Sequence, residues 1–104
     1  MANTASNPSI LSLESLTRLL GTPLRWKVLA ELSLYEPLMV SELADSLGQS
    51  MSNISKQIAI LREIGVVEQI RGRMYTVRAR YLVSPGVLDF GYGQFHMKPT
   101  IPSA

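Results

Sequence analysis

Between Ser41 and Val67 the chain reads SELADSLGQSMSNISKQIAILREIGVV, a stretch that admits few folds. Ser41 and Ser50 are of the residue type that caps free helix amides, and each precedes a helical apolar rhythm. Leu43, Ala44 and Leu47 follow the first; Ile54, Ile58 and Leu61 follow the second, with Ile60 and Ile64 alongside. Glu42 falls in the first turn of the earlier segment, where a carboxylate suits the positive end of the helix dipole. Gly48 can take the left-handed conformation a tight turn demands, and Gly65 stops the second helix before the β-branched pair Val66-Val67. The spacing predicts a helix capped by Ser41 over 42–47, a turn at Leu47-Gly48-Gln49, and a longer helix opened by Ser50.

The flanks fit around that pair. Upstream, Leu13, Leu16 and Leu20 recur at helical spacing from Ser9 or Ser12, and Gly21 lies just past them. Thr22-Pro23 restarts a helix, because threonine caps free amides and proline at the first helical position loses no needed donor. That helix should reach about Leu34, with Leu24, Val28 and Leu32 inward, Trp26 and Leu29 flanking, and Arg25, Lys27 and Glu31 in water. Pro37 ends it, and Leu38-Met39-Val40 reads as a short extended piece. Downstream, Val66 to Ile70 and Met74 to Arg78 are strands joined by the turn Arg71-Gly72-Arg73. Two helices across a tight turn, followed by a hairpin with cations at its tip, form a helix-turn-helix with a wing; in that motif the second helix normally enters the DNA major groove.

Composition agrees with one mainly helical domain. The chain has 104 residues, 46% hydrophobic and 17% charged, enough for a single modest core. Cysteine is absent, which removes disulfides and thiolate metal sites. No apolar run nears the roughly twenty residues that cross a bilayer, and no signal-like segment opens the chain, so no membrane partner and a cytoplasmic location are expected. Charge is segregated: residues 1–49 carry three cations against five carboxylates, and residues 50–80 carry six against two. From Gln49 to Arg62 no acidic residue occurs. Ser50, Met51, Ser52, Asn53, Ser55, Lys56 and Gln57 offer short hydrogen-bonding groups, one cation and an apolar thioether to bases and phosphates, while Arg62, Arg71, Arg73 and Arg78 can meet phosphates. A solvated helix face and a hairpin tip charged for solubility are the alternatives.

Leu20 to Ala79, including the Thr-Pro-Leu-Arg start, SELADSLG, the serine-rich SMSNIS, and LREIGVV before a glycine-tipped hairpin, resembles the ArsR-type winged-helix transcriptional regulators in order and spacing. The resemblance implies a symmetric dimer that binds an operator and represses until an effector releases it. It puts the DNA-reading positions on Ser50, Met51, Ser52, Asn53, Ser55, Lys56 and Gln57, and the wing on Arg71 and Arg73. Many metal-sensing members have two cysteines where this chain has Met39 and Ser41, so that sensor is missing. The tail offers one histidine, His96, and one aspartate, too few donors for a divalent site, and no metal or other cofactor is expected.

The family's last helix is also missing, because Pro85, Gly86, Gly91 and Gly93 interrupt the tail. Leu88, Phe90 and Tyr92 share one side of an extended chain, and the parity shifts to Phe95 and Met97 after Gly93, as a bend would cause. A strand or irregular segment should cover the core, pair across a dimer, line a ligand pocket or dock a partner protein. Expected, then, are a lead-in without fixed structure over 1–8, a winged helix-turn-helix domain over 9–82 and an extension over 83–104. The dimer contacts would be Leu13, Leu16, Leu20, Phe90 and Tyr92. The expected function is a metal-independent repressor acting as a homodimer on an inverted-repeat double-stranded operator, with a small-molecule or protein effector and no enzymatic activity. A winged helix used only for protein interaction, its basic face meeting an acidic partner, is the rival reading.

Overall fold

The computed structural model describes residues 10–34 and 36–97; the expected lead-in and residues 98–104 lie outside the described residues. Helix α1, Leu13–Leu19, begins where the Ser12 hydroxyl accepts the Ser15 amide at 3.1 Å. Helix α2, Pro23–Leu34, has proline at its first position and the Thr22 carbonyl accepting from the Trp26 amide at 3.2 Å. Strand β1, Leu38–Met39, leads directly into helix α3, Val40–Leu47. The expected cap is corrected here. Val40, not Glu42, is the first residue of α3, and the Glu42 carboxylate reaches back to accept the Met39 amide at 2.8 Å, so Ser41 lies inside the helix. Pairing of Leu38 and Met39 with Tyr75 and Met74 draws the chain into the sheet and moves the helix start forward.

Gly48, with φ +63°, ends α3 in the left-handed conformation its turn requires. Ser50 caps helix α4, Met51–Ile64, by accepting the Asn53 amide at 3.1 Å, and Gly65 closes it. Strands β2, Val67–Ile70, and β3, Met74–Val77, form the hairpin, and β1 completes a three-stranded antiparallel sheet in the order β1-β3-β2. Ile54, Ile58 and Leu61 of α4 are buried against Val28, Leu29 and Leu32 of α2, Leu43 of α3, and Val66, Val67 and Val77.

After a 3₁₀ turn at Ala79–Tyr81, the tail folds into a second antiparallel sheet of β4, Leu82–Ser84, β5, Val87–Asp89, and β6, Gln94–His96, in that order. One additional strand was expected; three form. Gly86 donates its amide to the Ser33 carbonyl at the end of α2 (3.0 Å) and accepts the Met97 amide (2.7 Å), which satisfies a last-turn carbonyl and closes the tail on itself. Leu88, Phe90 and Met97 join the main core. Phe90 packs against Tyr81 (ring centroids 5.4 Å apart) and Phe95 (5.8 Å), and Phe95 meets Trp26 of α2 edge-on at 5.6 Å.

This packing corrects two expected dimer contacts. Leu16 and Phe90 are buried within one chain, so neither is available to a second copy. Tyr92 turns outward after Gly91, whose φ of +102° breaks the strand alternation, and its hydroxyl donates to the Leu11 carbonyl at 2.8 Å. Leu13 and Leu20 are exposed, Leu13 at 60%. Replacement of the fully buried ring by Phe90→Ala should cost about 3–5 kcal/mol, read as a lower urea midpoint, whereas Val83→Ala on an exposed strand should stay within about 0.5 kcal/mol.

Candidate nucleic-acid interface

Helix α4 carries its apolar row Ile54, Ile58 and Leu61 into the core, which leaves the opposite face of its N-terminal half exposed. Met51, Ser52, Asn53, Ser55 and Lys56 all lie on that exposed face, with Ser50 at its cap. The Asn53 amide group also donates to Gln49 Oε1 at 3.4 Å, joining the turn to the first helical residues. Asn, Ser and Lys side chains so placed can bond base edges or phosphates, and the positive end of the helix dipole favours an anion here.

Gln57 was expected on the same face and is not there. It is 8% exposed, and its Oε1 accepts from Arg25 Nε of α2 at 3.0 Å. On the helical wheel Gln57 falls about 40° beyond Leu61, at the edge of the buried arc, and about 100° from the exposed Lys56. Arg25, expected in water, is buried too; its Nη1 donates to the Arg18 carbonyl at the end of α1. A guanidinium at that helix terminus suits the negative end of the dipole. Glu31, also expected in water, is buried, and its Oε1 accepts from the Ser46 hydroxyl of α3 at 3.3 Å.

The hairpin stands beside the start of α4. Gly72, with φ +68°, forms its tip between Arg71 and Arg73, and Gln69 Nε2 donates to the Gly72 carbonyl at 2.9 Å, bracing the turn. Arg73 lines a groove of ≈ 400 Å³ together with Met51 and Ser55 of α4, Ser41 of α3, Met39 of β1 and Tyr75 of β3. Arg71 is on the other side of the hairpin, beside Glu36, Pro37, Ile70 and Met74. Arg62 lies about three turns along α4 from Met51, with its guanidinium carbon 5.9 Å from the Tyr75 ring centroid. Arg78 approaches Glu68 at 3.8 Å and lines a separate groove with Arg62 and Glu63.

The structure thus gathers Met51, Ser55 and Arg73 into one groove and leaves Ser50, Ser52, Asn53 and Lys56 exposed around its helical edge. It removes Gln57 to the interior and sets Arg62 and Arg71 apart. Sequence reasoning missed Met39, Ser41 and Tyr75 as groove walls. Only the pairing of β1 with β3, which joins segments far apart in the chain, brings them together. Among the described residues no group of three or more His, Cys, Asp or Glu side chains is arranged to hold a metal ion, and no helix is long and apolar enough to cross a membrane.

Comparison with known proteins agrees with the geometry. Residues 20–70 match a family model described as a helix-turn-helix domain, and α2, α3, α4 and β2 fall within the match. No curated protein matches the chain. The chain therefore carries a helix-turn-helix domain followed by a hairpin in the position of a wing.

Loss of the acceptor in Gln57→Leu leaves the Arg25 Nε donor buried without its partner, and should cost about 1–3 kcal/mol in urea denaturation. Unchanged stability together with altered sequence preference would return Gln57 to the reading face.

Proposed function

We propose that the protein is a sequence-specific, double-stranded DNA-binding transcriptional regulator that acts as a homodimer without a metal cofactor and represses its target. The observation that carries this reading is the face of α4 from Ser50 to Lys56, exposed and free of carboxylates, with Arg73 sharing its groove. A solvated helix face has no need of this arrangement, and an acidic protein partner has no need of its Asn and Ser groups, which match base edges. The matched helix-turn-helix model supports the same reading.

Ser50, Met51, Ser52, Asn53, Ser55 and Lys56 are the proposed reading set. Arg71 and Arg73 would hold phosphates or enter a narrow minor groove from the wing, and Arg62 would reach a phosphate only by leaving the Tyr75 ring. Exposed Leu13, Leu20 and Tyr92 are the proposed contacts with a second copy. A two-fold dimer would set its two reading helices about 34 Å apart, which calls for an inverted-repeat operator. A repressor of this kind acts in the cytoplasm and responds to a small-molecule or protein effector. With Met39 and Ser41 at the cysteine positions noted above, that effector is not a thiolate-bound metal.

Selection of random duplexes by the purified protein at two salt concentrations tests the reading. An inverted repeat should be enriched, and log Kd should rise with log salt by about 0.9 per phosphate neutralised. Asn53→Ala and Lys56→Ala should change sequence preference, whereas Arg71→Ala and Arg73→Ala should weaken all duplexes alike. No enrichment, or affinity insensitive to salt, would contradict specific DNA binding.

A further inference from the structure

Two exposed methionines stand beside the polar groups at the start of α4, in a groove that Val40 also lines. Met51, the first residue of α4, is 55% exposed, and Met39 is 39% exposed; both line the groove between α4 and the hairpin. Ser55, one helical turn after Met51, and the Tyr75 ring continue its wall. Arg73 supplies a positive charge, and no carboxylate lines the groove. The cavity therefore combines an apolar floor with a cationic edge and is continuous with the reading face of α4.

DNA presents few groups that gain from an apolar floor. In the major groove the bases show hydrogen-bonding nitrogens and oxygens, except for the C5-methyl group of thymine. A thioether is unbranched and polarisable and adapts to a small apolar group without demanding one geometry. We infer that Met51, assisted by Met39, is a specificity-determining contact that selects a pyrimidine carrying a C5-methyl group. Arg73 holds the adjacent backbone by a phosphate. The inference rests on the DNA-binding function proposed above and assigns one chemical feature of the operator to one side chain. Thymine is the ordinary source of that methyl; 5-methylcytosine presents the same group.

The test uses the full chain and the duplex enriched by selection. Replacing every thymine by deoxyuridine removes only the methyl groups. Kd should rise about fourfold for each methyl buried against the groove, from the burial free energy of one carbon. Met51→Ala should bind the thymine and deoxyuridine duplexes equally, while Met51→Leu should keep the discrimination. A parallel duplex with its cytosines converted to 5-methylcytosine separates the sources. Loss with deoxyuridine identifies thymine, and tighter binding of the methylated duplex without such a loss identifies 5-methylcytosine; either supports the assignment. Equal binding of all these duplexes by the unaltered protein overturns the methyl contact and leaves DNA binding standing. Failure to bind any duplex overturns the DNA-binding function and the methyl contact together.

Discussion

A buried arginine sets the geometry on which the exposed face of α4 depends. Arg25 of α2 donates to the carbonyl of Arg18 at the end of α1 and to Gln57 at the middle of α4, so one side chain bonds to two other helices from their common interior. Apolar burial alone is non-directional; it brings α4 to the core without choosing among small rotations. The bond to Gln57 chooses one. With Gln57 turned inward, Asn53 and Lys56 come to the surface, and Met51 with Ser55 turns toward the hairpin. Removing either partner would leave a buried polar group unsatisfied, which resists alternative rotations more strongly than the bond itself stabilises this one. Arg18 adds an exposed ion pair with Glu63 at 2.7 Å; in water such a contact contributes little.

The tail reaches the same helices from the other side. Tyr92 bonds the Leu11 carbonyl, the Leu11 amide bonds the Phe90 carbonyl at 3.0 Å, and Leu11 leads straight into α1. Phe90 and Phe95 meanwhile pack from Tyr81 to Trp26 of α2. The last strands are therefore part of the core that holds α1 and α2 in place. The short meander is tied to the end of α2 by the Gly86 amide on the Ser33 carbonyl.

Local chemistry was readable in the sequence wherever a residue acts on its own neighbours. Ser12, Pro23, Gly48, Ser50 and Gly65 mark helix ends at the expected places, and the Arg71-Gly72-Arg73 turn falls between the expected strands. The shift of burial to Phe95 and Met97 after Gly93 was readable for the same reason, since strand alternation is local. Residues whose roles depend on distant partners were not readable. Arg25, Glu31 and Gln57 look like surface residues until α2, α3 and α4 are packed, and Ser41 looks like a cap until β1 finds β3. Leu16 and Phe90 look like contacts for a second copy until the tail closes over its own core. The exposure of Met51, Ser52, Asn53, Ser55 and Lys56 was legible from helical periodicity, and Gln57 is the one proposed position that the packing turns inward.

The central claim is that the Arg25-fixed rotation of α4 presents Ser50 to Lys56, with Arg73, to DNA. Amide chemical-shift mapping of the labelled protein titrated with its selected duplex tests this most directly. The account predicts that the largest changes fall on Ser50 to Lys56 and on Arg71 to Arg73, with the Gln57 side-chain amide little changed. Changes confined to α1 and the tail, with the start of α4 and the hairpin tip unmoved, would contradict it.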